Sequence, residues 1–354
     1  MSKTDINLRD DEVAAVMPHF RVGPVLFTRP CGGTANAGLI VTTPAGQYFL
    51  RRRNPRYSDP QQLAYDHHVL TALYRRGLPV PKTMLTKSGS RWVEHDGCIY
   101  ELYGFIEGAC VVNPDPAQIA DAGAVLARFH AAGVDLRPPG KKPFGRFWGP
   151  QVAVTMLERL LERTGAGDVG SLRAMSADEA LQVLEYLMAQ ARSVEDHVPD
   201  AVYWALPQTI IHGDWHPANL KFGGARVTGI FDFDWVDRQP RMVDIADGLL
   251  YLCGIRRVTD ERADIWTLTE TPKLDWPRMR TFLHSYAGVH PPTDAELAAL
   301  PYLMSVRWIY SRVDAADRKI PEPDQLRFVL RDVTSPLLWV AENRNELSKD
   351  GWWL

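Results

Sequence analysis

The stretch Ile210-Ile211-His212-Gly213-Asp214-Trp215-His216-Pro217-Ala218-Asn219-Leu220, followed by Gly229-Ile230-Phe231-Asp232-Phe233-Asp234, decides how this chain is read. It sets a carboxylate at Asp214, an amide five residues later at Asn219 and a second carboxylate thirteen residues further on at Asp232. Apolar residues surround all three. Thr209 to His212 and Val227 to Asp232 read as buried extended segments, with Leu220 to Phe222 and a Gly223-Gly224 turn between them. A carboxylate at the end of an apolar strand is costly to desolvate unless a cation or donors meet it.

Before this stretch the chain alternates short extended pieces and turns. Asp10 to Phe20 reads as a helix, and Val22 to Thr28, Gly38 to Thr43 and Gln47 to Arg51 as strands, with Pro30 to Asn36 as a turn. Asp59-Pro60 opens a helix, Asp59 as cap and Pro60 at the first helical position, and Gly77 closes it. A hairpin around Asp96-Gly97 joins Arg91–Glu94 to Cys98–Phe105. From Pro116 onward helical patterns dominate: Ile119–His130, Val152–Arg163, Ala177–His197, Val243–Tyr251, Trp276–Tyr286, Asp294–Val313 and Pro323–Glu342. Pro138–Phe147 is basic and rich in Pro and Gly, and reads as an exposed loop. The expected fold class is α+β: residues 1–103 form a small antiparallel sheet with one helix, and residues 104–354 a larger, mainly helical part carrying the site.

Composition narrows the function classes. The 354 residues suffice for two lobes with real cores. Apolar content of 45% and charged content of 23% are those of an ordinary globular enzyme. A net charge of -3 gives no overall basic field for nucleic acid. The four cysteines lack metal-knuckle or disulfide-framework spacing, the N-terminus carries no apolar signal core, and no apolar run approaches the roughly 18 residues of a membrane span. A cytoplasmic location, with no nucleic-acid or membrane partner, is expected.

The Asp214–Asn219 spacing equals that of the kinase catalytic loop. Phosphoryl transfer from a nucleotide needs a group that orients and deprotonates a hydroxyl, and oxygen ligands that hold magnesium on the phosphates. Asp214 suits the first task; Asn219 and Asp232 suit the second. Asp234 points the same way as Asp232 if the chain stays extended, as a further acid or ligand. His212 reads as a brace for the loop, and Asp244 as an acceptor for loop amides or an ordinary first-turn aspartate. In the sheet, Gly32-Gly33 and Asn36 could cover phosphates with backbone N–H groups, although hairpins need glycines anyway. Arg51 ends a strand where a cation is wanted against phosphates, and Asp66 on the next helix could pair with it. Glu101 and Tyr103 would offer backbone groups to an adenine ring.

These residues together resemble the aminoglycoside phosphotransferase and choline kinase-like superfamily. The layout is most like its homoserine kinase type II and stress-response kinase branches. The resemblance rests on His212 to Asn219, Phe231-Asp232-Phe233-Asp234 and Asp244-Ile245-Ala246, supported by Leu78-Pro79-Val80-Pro81, Phe105-Ile106-Glu107-Gly108 and Leu126 to His130. It implies a bilobal protein-kinase-like fold, ATP or GTP with magnesium in the cleft, and transfer of the γ-phosphoryl to a small-molecule hydroxyl. The resemblance makes Asp214 the catalytic aspartate and Asn219 and Asp232 the metal ligands. It also places a lysine where this chain has Arg51 and a glutamate where it has Asp66. Either the pair persists with lengths exchanged, or Arg52 or Arg53 serves instead, or the nucleotide pocket is degenerate and the chain a non-catalytic nucleotide-binding module. A Ser/Thr protein kinase of the stress-response type is a further alternative.

The acceptor remains open at this level. Trp215, Trp235, Asp234, Asp247, Tyr251, Trp308, Tyr310 and Arg312 could line its pocket. Aromatic faces beside an acid suit an amino alcohol, amino acid or amino sugar, although most tryptophans at helical spacing belong to a core. Arg307 or Arg312 could instead bind a substrate carboxylate, as homoserine carries.

Overall fold

The computed structural model describes residues 8–31, 37–257 and 265–354. Helix α1 (Asp10–Val16) precedes a five-stranded antiparallel sheet of β1 (Phe27–Cys31), β2 (Ala37–Thr43), β3 (Gly46–Arg52), β4 (Val93–His95) and β5 (Cys98–Gly104), ordered β1-β2-β3-β5-β4. The β4–β5 turn needs positive φ at both central residues, and Asp96 (47°) and Gly97 (71°) supply it. Gly23 at φ 81° and Pro24 keep the segment before β1 out of the sheet, so this strand starts five residues later than expected. Between β3 and β4 runs α2 (Pro60–Arg75), where the Asp59 side chain accepts from the amides of Gln61 and Gln62.

The rest is mainly helical: α3 (Pro116–Gly133), α4 (Pro150–Gly165), α5 (Ala177–His197), α6 (Asp200–Ala205), α7 (Met242–Asp247), α8 (Ile265–Leu268), α9 (Trp276–Ala287), α10 (Asp294–Lys319), α11 (Glu322–Leu330), α12 (Thr334–Glu342) and α13 (Arg344–Leu347). Two small ribbons interrupt it, β6 (Gln208–Ile211) with β9 (Asp237–Pro240), and β7 (Leu220–Gly223) with β8 (Arg226–Ile230). The sequence pattern over 323–342 reads as one helix but forms two, because Asp332 takes the left-handed conformation at φ 46° between α11 and α12. Among the described residues no helix is long and apolar enough to cross a membrane.

Two cores organise these elements. A small one lies under the sheet, where Val13, Val16 and Met17 meet Leu39, Val41, Leu50, Tyr100 and Leu102. The large one fills the helical part and also takes Tyr65, Val69, Leu70 and Leu73 of α2. Helix α2 is thus packed into the helical body although it lies between strands of the sheet. The 138–147 loop is exposed at Pro139, Gly140, Lys141, Pro143 and Gly145, as its composition suggests, but buries Lys142 and Phe147, and Trp148 after it is buried too.

Candidate active site

The loop after β6 carries Asp214 and Asn219, and the turn after β8 carries Asp232. Backbone and side chain tie the two together: the Phe231 amide donates to the Asn219 carbonyl at 2.9 Å, and His212 Nε2 donates to the Phe231 carbonyl at 2.8 Å. Buried Asp244, at the start of α7, accepts the amides of His212 (2.7 Å) and Gly213 (2.8 Å) and also contacts His130 Nε2 at 3.0 Å. His212 and Asp244 are therefore both placed as loop supports. Gly213 sits at φ 79°, where a Cβ would come within 2.5 Å of the Trp235 carbonyl, so this position requires glycine.

Asp214 is gripped on both oxygens. Oδ1 accepts from Arg307 Nη2 at 3.1 Å, while Oδ2 meets His216 Nε2 at 3.1 Å and Asn219 Nδ2 at 3.2 Å. Burial would raise its pKa, but His216, Arg307 and His212 outweigh burial and hold the carboxyl well below the usual range. Arg307 is itself clamped by Asp247, whose other oxygen takes the Trp215 amide at 3.1 Å. The rings of Trp148 and Tyr251 lie 4.7 and 5.2 Å from the Arg307 guanidinium.

The observed donor set fits a hard divalent cation. Asp232 takes the left-handed conformation at φ 62°, and its Oδ1 is buried with no hydrogen-bond partner. Burial and the neighbouring Asp234 push its carboxyl up to about 7, against the pull of Arg51. Asn219 commits its amide nitrogen to the Asp214 carbonyl (2.9 Å) and carboxylate, leaving the amide oxygen for a cation. Two oxygen ligands beside a nucleotide's phosphates are what magnesium commonly uses. Among the described residues no group of three or more His, Cys, Asp and Glu side chains is arranged to hold a metal, so a cation here would need the nucleotide's own phosphate oxygens beside Asn219 and Asp232.

Behind Asp232 lies a buried ionic network. Arg51 contacts Asp234 at 2.5 Å, Asp232 at 3.6 Å and Glu101, its cross-strand neighbour, at 3.7 Å. Asp66 does not pair with Arg51 as the sequence suggests. The strand alternation points Arg51 and Arg53 the same way, and Arg53, closer to α2, takes Asp66 together with Glu101 (3.1 Å) and Asp234 (3.2 Å). Lys142 completes the grip on Asp66 at 2.6 Å. Arg52 faces the other side and binds Glu12 at 2.6 Å.

Several expected positions need correction. Glu101 and Tyr103 lie inside β5, three and one residues short of its end at Gly104, with their backbones in register with Arg51 and Phe49, and the Glu101 side chain enters the ionic network. Asp234 is buried and held by Arg51 and Arg53, because the chain leaves the extended form at Asp232 and enters a 3-10 turn over Phe233–Trp235. Trp215 and Trp308 are fully buried core residues, the latter donating to the Val333 carbonyl at 2.8 Å. Arg312 is equally buried, bound to the Phe328 carbonyl (3.2 Å) and Thr271 (2.8 Å). Trp235 stacks on Phe144 at 5.1 Å. Of that set, Asp247 and Tyr251 adjoin Asp214's partners, Asp247 by binding Arg307 and Tyr251 with its ring 6.3 Å from the His216 ring. Gly32, Gly33 and Asn36 lie outside the described residues.

The site also contains residues the motif reading passed over. His216 stands inside the motif, between Asp214 and Asn219, and its position there was the available signal. Trp148, Lys142 and Lys319 had none, being brought in by loop and helix paths. Lys319, at the end of α10, is close enough to feel the charges of Asp214 and Asp232.

An α+β chain with an N-terminal antiparallel sheet, a helical body and this loop constellation defines the kinase-like phosphotransferases. The chain belongs to the phosphotransferase enzyme family, whose family model it matches over residues 27–282. It is a small-molecule kinase, transferring phosphoryl groups to an alcohol acceptor. It is 27% identical over 334 residues to a homoserine kinase of Polaromonas naphthalenivorans, covering 91% of this chain and 95% of that one. Its fold matches an aminoglycoside phosphotransferase of Alicyclobacillus acidocaldarius with a TM-score of 0.65 at 18% identity, over 95% and 93% of the two chains. A spectinomycin phosphotransferase in complex with ADP and spectinomycin matches with a TM-score of 0.63 at 11% identity, over 95% and 99%.

Proposed function

We propose that this enzyme transfers the γ-phosphoryl of ATP to the hydroxyl of a small acceptor that also carries a carboxylate, with homoserine the first candidate. Asp214 receives the hydroxyl proton and orients the oxygen; Asn219 and Asp232 hold magnesium; Arg51, beside Asp232, meets the phosphates. When bound, magnesium neutralises developing charge on the transferred group. Residues 1–103 and 104–354 act as two lobes with the nucleotide between them. The observation that carries this reading is the buried, hydrogen-bond-orphaned Oδ1 of Asp232 beside Arg51, on a turn tied to the loop that presents Asp214.

Two cations stand beside Asp214. Arg307 and Lys319 both bear on Asp214, and the nearby Asp247 is already bound to Arg307. A guanidinium and an ammonium beside the base are partners a carboxylate-bearing acceptor could use, as a bare amine could not. The amino-acid relative named above agrees. The test is a transfer assay with ATP or GTP against homoserine, other hydroxy acids, amino alcohols, sugars and aminoglycosides. The reading expects turnover with a carboxylate-bearing alcohol and magnesium; turnover confined to acceptors without a carboxylate contradicts it.

A further inference from the structure

Lys142 is a buried cation that the proposed chemistry does not use. It lies in the 138–147 loop of the helical part, yet its ammonium is fully enclosed, donating to Asp66 Oδ1 at 2.6 Å and to the Asp234 carbonyl at 2.9 Å. The Phe144 and Tyr65 rings flank it at 5.4 and 6.0 Å. Its loop is seated on the first turn of α2: Gly140, at φ 78°, stands where a Cβ would come within 2.4 Å of the Gln61 carbonyl. An ammonium is buried at this cost only when paired and hydrogen-bonded, and both of its partners are placed to matter. Asp66 is on the helix between strands of the sheet, and Asp234 is two residues beyond Asp232.

Arg51, Arg53 and Lys142 face Asp66, Glu101, Asp232 and Asp234, three basic side chains against four carboxylates, with His67 Nε2 also 2.9 Å from Glu101. Arg53 is shared among Asp66, Glu101 and Asp234. Without Lys142, Asp66 would draw Arg53 to itself, Asp234 would lose a partner, and Arg51 would be drawn more strongly onto Asp234 and away from phosphates. The same loss would remove one of two ties between α2 and the turn that carries Asp232, leaving only the bridge through Arg53. We propose that Lys142 is a positioning residue for the nucleotide: it locks α2 to the Asp232–Trp235 turn and, through Arg53, keeps Arg51 available to the phosphates. The inference rests on the nucleotide reading given above.

The test is binding of a non-hydrolysable ATP analogue with magnesium, by calorimetry, to the whole chain and to Lys142→Met, Asp66→Asn and the double variant, with acceptor KM measured alongside. Lys142→Met is expected to weaken nucleotide binding by about tenfold or more while acceptor KM stays within about twofold, and the double variant to bind no worse than the weaker single one, as residues of one network are non-additive. A purely structural role would lower thermal stability without this split. Folded Lys142→Met and Asp66→Asn chains that bind the analogue as the unaltered chain does would overturn the inference. A second measurement needs no variant: hydrogen exchange on the unaltered chain should show the analogue protecting 138–147 together with α2, and exchange in 138–147 that ignores the analogue would overturn it too. Failure of the unaltered chain to bind the analogue at all would instead overturn the nucleotide reading, and this inference with it.

Discussion

Arg307 Nη2 lies 3.1 Å from Asp214 Oδ1, joining α10 to the loop that carries the proposed base. The guanidinium is gripped from behind by Asp247 and framed by Trp148 and Tyr251. One residue thus holds the carboxylate read as the base and presents positive charge beside it. Arg307→Lys keeps the charge but loses the fork. It should raise acceptor KM about 10- to 150-fold, matching the ~1.5–3 kcal/mol of a charge-assisted hydrogen bond, with nucleotide KM little changed. Steady-state kinetics in both substrates checks this; an unchanged acceptor KM would remove Arg307 from the acceptor site.

Asp232→Ala should abolish the magnesium dependence of nucleotide binding. Calorimetry with ATP, with and without the metal, should show a metal-enhanced affinity in the unaltered chain and equal, weak affinities in the variant. A variant that still gains affinity from magnesium would place the metal elsewhere.

Arg51→Ala should raise nucleotide KM by about tenfold or more, since arginine–phosphate contacts are charge-assisted and often bidentate. The contacts of Arg51 with Asp232 and Asp234 place it where phosphates would meet the metal turn. An unchanged nucleotide KM would shift the phosphate contact to another cation.

Glu101 governs part of the acid stability. Burial would raise its carboxyl, but Arg53, His67 and Arg51 hold it well below the ordinary glutamate value of 4.5. The folded pKa is depressed, so its contribution is fully present above about pH 4.5 and is lost progressively as pH falls below that. Glu101→Gln should therefore melt lower at neutral pH and lose less melting temperature than the unaltered chain between neutral pH and about pH 3. Parallel acid profiles for the two chains would contradict this.

The fold was legible where local chemistry and fold agree. The Asp59-Pro60 cap, the Asp96-Gly97 turn and the periodicity of 177–197 each name their own structure. The loop with Asp214 and Asn219 and the strand leading to Asp232 were legible because spacing and apolar context fix them. What was not legible depends on contacts between distant segments. Nothing local says that Arg53 rather than Arg51 reaches Asp66, since both point the same way from β3 and only the path of α2 chooses. Nothing local says that a Pro/Gly-rich basic loop buries Lys142, because its composition is that of a solvated turn and its partners are 76 and 92 residues away. Spacing alone lets Trp215, Trp308 and Arg312 line a pocket; their burial, which sequence spacing does not report, places them in the core.

In the proposed reaction Asp214 takes the acceptor's proton. The most direct test is single-turnover phosphoryl transfer by Asp214→Asn with saturating magnesium–ATP and acceptor, with nucleotide affinity measured on the same sample. The amide keeps the shape and loses the base, so transfer should fall by about 10²–10⁴ while nucleotide affinity stays within a few-fold. Transfer at close to the unaltered rate in a variant that binds nucleotide normally would contradict the account.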